Sequence, residues 1–197
     1  MTDFPSWRRP TPHELSFVAF VEGNLQRKNL AVLAALRRGF GKRPWEAPEM
    51  FPFIVPFLTP EMPPVRQEAF FLTGSAFAQH PSKGSEAEPL NGRDNLGDAF
   101  RNSIRRPTDQ TSIERRFVAL LSSDREDVSE HVWRAVTFLR SKEVSIDWRQ
   151  FLHDLARPSW NQVRKEWASS FWAPVRTGVS ASQGKEADVE PSTSQVN

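Results

Sequence analysis

The chain contains no cysteine and no tyrosine among its 197 residues, and only four histidines. Without cysteine there is no disulfide framework, no thiolate zinc site and no cysteine nucleophile, and the composition suits a reducing cytosol. Long apolar runs are missing too. Nothing approaches the roughly 18 continuous apolar residues of a membrane-spanning helix, and the segment from Met1 to Pro12 lacks the apolar centre of a signal peptide. The expectation is a cytoplasmic protein with no membrane partner. The missing tyrosine and cysteine also explain an isoelectric point near 9.3 on a chain whose 26 Lys+Arg barely exceed 24 Asp+Glu. Nothing acidic titrates between the carboxylates and the basic groups, so a net charge of +2 persists to high pH. The isoelectric point alone is therefore no sign of a polyanion partner.

Catalytic patterns are absent as well. His13, His80, His131 and His153 are too scattered for a zinc site that needs two histidines on one helical face. The pair His153-Asp154 invites comparison with the all-α metal-dependent phosphohydrolases of the HD type, which use a later aspartate as a further ligand. The only later aspartate is Asp188, far into a polar tail, so the pair reads as surface residues near a helix end. The glycines of Gly178 to Lys185 are one residue too far apart for a phosphate-binding P-loop, and no G-x-S-x-G elbow occurs. The sequence predicts no enzyme, no metal and no cofactor.

What the chain does have is helical periodicity, which predicts an all-α, compact multi-helix bundle of about eight to nine helices. Thr11-Pro12-His13-Glu14 forms a capping box with proline at the first helical position, opening a helix over about 12–27. Asn29 caps a second helix, Leu30 to Arg38, apolar almost all round and therefore expected to be buried, with Gly39 as its stop. Seven prolines lie between Pro44 and Pro64, five of them spaced by four and interleaved with Trp45, Phe51, Phe53 and Phe57. Interior proline costs a helix about 3 kcal/mol, so this stretch is expected to break into short helical turns packed by their rings. Helical spacing resumes over 65–80, a polar loop follows over 81–92, and further helices are expected over 95–106, 112–121 and 129–141. Asp147 caps another, and Ser159-Trp160-Asn161-Gln162 reads as a capping box for the last. Trp133, Trp148, Trp160 and Trp167 fall on apolar stripes, as core residues do. The domain boundaries expected are a helical domain over 1–172 and a disordered tail over 173–197, whose polar, aromatic-free text is clearest from Thr177.

Charge is informative only when read by segment. Without residues 177–197 the chain has 25 basic and 21 acidic groups, a net of +4. Arginine outnumbers lysine 20 to 6, and its planar fork grips phosphate in two-point contacts. Residues 8–43 hold eight basic groups, among them Arg37, Arg38, Lys42 and Arg43, against Glu14 and Glu22 alone, a net of +6. A second cluster comprises Arg101, Arg105, Arg106, Arg115 and Arg116. Blander readings stand beside this one: Arg37 and Arg38 also complement a helix dipole, and Arg101 and Arg105 have Asp98 and Asp109 as possible ion-pair partners.

Five short segments, in order, carry a resemblance. Leu36-Arg37-Arg38-Gly39 precedes the Pro/Phe-rich stretch; Asn95-Leu96-Gly97-Asp98-Ala99-Phe100 and Ser112-Ile113-Glu114-Arg115-Arg116-Phe117 follow, then Asp124-Arg125 and Ile146-Asp147-Trp148. Over roughly residues 12–172 the chain resembles the CasB small-subunit family of the type I-E CRISPR Cascade. The resemblance implies a non-catalytic all-α subunit that packs against backbone and large subunits and a second copy of itself. It also implies that a basic surface holds target DNA, as the hybrid with crRNA, and the displaced single strand of the R-loop. The positions it carries over are Arg37, Arg38, Arg115, Arg116 and Arg125; Lys42, Arg43, Arg101, Arg105 and Arg157 are added on charge and expected placement. Two alternatives remain at this stage: a helical adaptor that contacts only protein, and a helix-turn-helix regulator using Arg115 and Arg116.

Overall fold

The computed structural model describes residues 10–81 and 94–173. The polar loop expected after Pro81 and, Ala173 aside, the tail expected over 173–197 lie outside the described residues. Among the described residues the chain is all α, without a strand: α1 (Pro12–Gln26), α2 (Leu30–Arg37), a single turn α3 (Phe51–Ile54), α4 (Pro64–Gln79), α5 (Leu96–Asn102), α6 (Gln110–Leu121), α7 (Val128–Ser141), α8 (Trp148–Ala156) and α9 (Trp160–Phe171). No helix among them is long and apolar enough to cross a membrane.

Side-chain caps open four of the nine helices among the described residues, α1, α2, α5 and α8. The Thr11 hydroxyl accepts the Glu14 N–H while the Glu14 carboxylate accepts the Thr11 N–H, as expected of the box that opens α1. Asn29 accepts from Val32 N–H at the start of α2, and Asp147 from the Arg149 and Gln150 N–H groups at the start of α8. Ser159 makes no side-chain cap, contrary to expectation, and the Gln162 amide N–H donates to Glu166. The start of α9 is held by the Trp160 indole N–H, which donates to the Ser123 carbonyl at 3.0 Å. α5 is shorter than its periodicity suggests. The Ser103 hydroxyl donates back to Phe100 O, and Arg106, which precedes Pro107, is extended.

The proline segment breaks up as its chemistry requires. Tight turns over Pro44–Glu46, Pro48–Met50 and Val55–Phe57 flank α3, and each of these four pieces has proline in its first two positions, where a missing N–H loses no helical hydrogen bond. Their rings pack inward, Phe57 against Phe17 at 5.2 Å and Phe51 against Phe71 at 5.9 Å between centroids. The chain enters this segment through Gly39. A Cβ there would lie 1.9 Å from Met50 Sδ, so Gly39 admits the neighbouring turn rather than supplying a left-handed stop; the left-handed glycine is Gly41.

α4 is the axis of the assembly, with every residue from Ala69 to Ala78 buried, and α8, α2 and α7 pack around it. Small residues (Ala69, Gly74, Ser75, Ala76, Ala78) let those neighbours approach. α2 covers α4 with Val32, Leu33, Ala35 and Leu36 but leaves Leu30 73 % exposed, so the expectation of a fully buried helix is corrected: a helix at the edge of the bundle buries one face. In the second half α5 lies against α9 and α6 against α7. One continuous apolar core joins both halves. Trp148, Trp160 and Trp167 are in it, as their stripes predict.

The core also holds a polar network that the sequence reading placed on the surface. His153 and Asp154 are 6 % and 1 % exposed. His153 Nδ1 lies 3.0 Å from a Glu14 carboxylate oxygen, and Arg66 Nη2 donates to the other at 2.7 Å, joining α1, α4 and α8. Asp154 accepts from the Trp167 indole and the Gln150 amide, both at 2.7 Å. Burial pushes the Asp154 carboxyl up to about 6, against the pull of Trp167, Gln150, His153 and Arg157. Below its ordinary pKa the group is neutral in both folded and unfolded chains; above about 6 the fold carries a buried charge. Relative to Asp154→Asn, which does not titrate, the natural protein is expected to lose roughly 2 kcal/mol of stability as pH rises from 4 to 6.5. Urea denaturation of both proteins across that range checks it; parallel pH profiles would refute it.

Candidate nucleic-acid interface

The first basic cluster is built on the end of α2 and the turns after it. Arg37 Nε donates to the Ala78 carbonyl at 3.1 Å, docking α2 on the last turn of α4 while the residue stays exposed. Arg38, Lys42 and Arg43 are exposed as well, and Arg38 has only a 3.9 Å approach to Glu49. Phe40 packs on Trp133 of α7 at 6.2 Å, which fixes this cluster beside one flank of α7.

The second cluster lies on the opposite flank. Arg105 Nη2 donates to the Lys142 carbonyl at 2.6 Å. The Arg116 guanidinium sits 5.2 Å from the Phe138 ring centroid and Lys142 Nζ 6.0 Å from it. Arg106 and Arg115 are exposed beside them. Trp133 and Phe138 are five residues apart, so about 140° apart around the helix, on either side of the buried stripe Val132, Val136 and Leu139. The solvent face of α7 therefore lies between the two clusters, carrying Arg134, Thr137, Arg140 and Ser141. The result is a basic strip on the two flanks of α7, interrupted on the solvent face between them by the Arg134–Glu130 pair.

What holds these cations decides their use. Arg37 and Arg105 are positioned by backbone carbonyls, and Arg116 and Lys142 by an aromatic ring. Such anchors restrict the side chain without cancelling its charge. Other arginines of the fold are spent on carboxylates: Arg66 on Glu14, Arg134 on Glu130, Arg149 on Glu22. Arg101 belongs with these, held by Asp98 at 2.8 Å.

Two expected members of the surface are turned inward. Arg157 is 10 % exposed, with Glu166 at 2.6 Å and Asp154 at 3.9 Å, because it follows α8 directly and closes over the Asp154 network. Arg125 is half-buried: it donates to the Leu155 carbonyl, lies over the Trp160 ring at 5.6 Å, and burial lowers its pKa. Both pin α9 and its neighbours rather than face solvent. Conversely, Lys142 and Phe138 join the site although the sequence reading passed over them. The available signal was Phe138 itself, an aromatic residue set off the α7 stripe. Among the described residues no group of three or more metal-ligating side chains comes together.

The model of the CRISPR-associated protein Cse2 family matches residues 32–172. The chain belongs to the Cse2 family. A CRISPR-associated Cse2 protein of Thermus thermophilus is 27 % identical over 172 residues, which cover 84 % of this chain and 90 % of that one. The crystal structure of CasB from M. ruber superposes with a TM-score of 0.67 at 28 % identity, covering 82 % of this chain and 93 % of that one. A chain of a CRISPR RNA-guided surveillance complex gives 0.65 at 27 % identity, with 81 % and 91 % covered. The resemblance drawn from the five segments thus names the right family, and the match spans the Arg-rich helices that form the strip.

Proposed function

We propose that the chain is a non-catalytic subunit of a type I-E CRISPR Cascade, and that its basic strip stabilises the R-loop by holding target DNA and the displaced strand. The carrying observation is the set of carbonyl- and ring-anchored cations on both flanks of α7, Arg37, Arg105, Arg116 and Lys142, which form no ion pair among the described residues. Family membership supplies the context, since one relative is a chain of an RNA-guided surveillance complex. R-loop formation exchanges one duplex for another of similar stability, so a few backbone contacts tip the balance. Apolar Val118 and Trp172, 43 % and 47 % exposed, lie on the flank of α6 opposite Arg116 and suit contact with backbone and large subunits or a second copy.

The helix-turn-helix alternative fits poorly. α6 begins at Gln110, so Arg115 and Arg116 sit mid-helix rather than at the start of a recognition helix.

Neutralising Lys42, Arg43, Arg115 and Arg116 to glutamine in the assembled complex tests the proposal. Each lost phosphate contact is expected to flatten the salt dependence of target retention by about 0.7 to 0.9 in log–log slope. Four contacts amount to a slope change of about 3. A pure protein adaptor predicts an unchanged slope, and that outcome would overturn the nucleic-acid role.

A further inference from the structure

Among the described residues Trp45 is the one large aromatic residue left mostly in solvent beside the basic strip. It is 61 % exposed, whereas Trp148 and Trp167 are fully buried and Trp160 nearly so. Its ring is not loose. Phe71 and Phe51 hold it, at centroid distances of 5.2 Å and 5.6 Å and interplanar angles of 57° and 71°, so two rings brace it from the core side and leave indole surface open to solvent. The turn Pro44–Glu46 presents it immediately after Lys42 and Arg43, both exposed. Proline at the turn's first position and the Glu46 carboxylate, which accepts the Arg43 N–H at 3.0 Å, fix the backbone there. Trp172 is the natural comparison. It too is exposed, but its indole N–H is engaged by Glu114, and no basic residue adjoins it in the chain as Lys42 and Arg43 adjoin Trp45.

A rigid, half-open aromatic face flanked by exposed cations is the arrangement by which proteins hold single strands: cations follow the phosphates while a base stacks on the ring. We infer that Trp45 is a stacking platform for an unpaired base of the displaced DNA strand, with Lys42 and Arg43 on the adjoining phosphates. The displaced strand is the one whose bases are free, because guide and target strands pair with each other in the R-loop. This inference rests on the proposed R-loop role and sharpens it to a strand and a contact.

The test uses the assembled complex on target DNA carrying 5-iodo-deoxyuridine along the displaced strand. Irradiation is expected to crosslink Trp45 to that strand, and Trp45→Ala to abolish the adduct and weaken retention of the displaced strand about 5- to 100-fold. Trp45→Phe should keep most of the retention. Trp45→Leu, which fills the space against Phe51 and Phe71 but offers no π face, should behave like the alanine variant. The salt slope should be the same in all three, since no phosphate contact is removed. If retention and crosslinking ignore all three substitutions while neutralising Lys42 and Arg43 still flattens the slope, the stacking role is wrong and the basic strip stands. If Trp45→Ala instead fails to assemble while Trp45→Leu assembles and retains DNA normally, Trp45 is a protein contact and the inference is overturned.

Discussion

Gly97→Ala is expected to cost the domain about 3 kcal/mol or more, enough to remove a large part of the stability of a protein of this size. The reason is geometric. α5 and α9 approach so closely at Gly97 that an added Cβ would stand 2.0 Å from the Trp167 carbonyl oxygen and 2.8 Å from its carbonyl carbon. Those are backbone atoms in the middle of α9, which cannot rotate away as a side-chain tip does. Relief requires the helices to part, and parting them pulls on Trp167, whose indole is buried and bonded to Asp154. It also strains the link from Asn95 Nδ2 to Ser170 Oγ at 2.8 Å, which joins the cap of α5 to the same helix. Thermal and urea unfolding of the variant would show the loss as a lowered midpoint. Unchanged stability would mean that α5 and α9 do not pack backbone to backbone.

Gly97 illustrates what kind of information the sequence carries. Helix periodicity, capping residues and proline spacing are local, so the all-α fold and most helix starts were legible without coordinates. Sites where two distant helices touch are not local. The segment Leu96-Gly97-Asp98 stood out only as part of a resemblance, and nothing in its text says that α9 lies within reach. The same holds for charge. Arg116 and Arg157 look alike in the sequence, but one rests on Phe138 in solvent and the other closes on Glu166. Which arginine faces solvent depends on the partner brought by another helix, and that is why the inward turn of Arg125 and Arg157, and the place of Lys142 beside Phe138, are not legible in the sequence. His153 and Asp154 failed for a related reason: near the end of a helix with polar side chains, they suit solvent, until α1 supplies Glu14 and α9 supplies Trp167.

Glu14→Ala is expected to be the most damaging single change in that network, at about 3 to 5 kcal/mol, because it leaves His153 and Arg66 facing each other without the anion that joins them. Glu14 has three roles that alanine cannot fill. It completes the α1 capping box through the Thr11 N–H, receives Arg66 from α4, and meets His153 from α8. Burial by itself would raise its pKa, yet His153, the Thr11 N–H and Arg66 together hold the carboxyl below its ordinary value. The sign of the pH effect follows. A depressed folded pKa means the stabilisation is fully present above the ordinary carboxylate pKa and is lost as pH falls through the folded value. The natural protein should therefore lose its advantage over Glu14→Ala on acidification below about pH 4.5, opposite in direction to the Asp154 effect and at lower pH. Glu14→Gln keeps one acceptor and should fall between the two proteins. Because α4 carries Arg66 at its first turn and the Ala78 carbonyl that positions Arg37 at its last, a loosened α4 could imitate an interface defect. Salt dependence separates the two: Glu14→Ala should lower the unfolding midpoint and the yield of assembled complex while leaving the log–log slope of DNA retention by folded protein unchanged. A flattened slope in that variant would instead show that the strip depends on the buried network for its geometry.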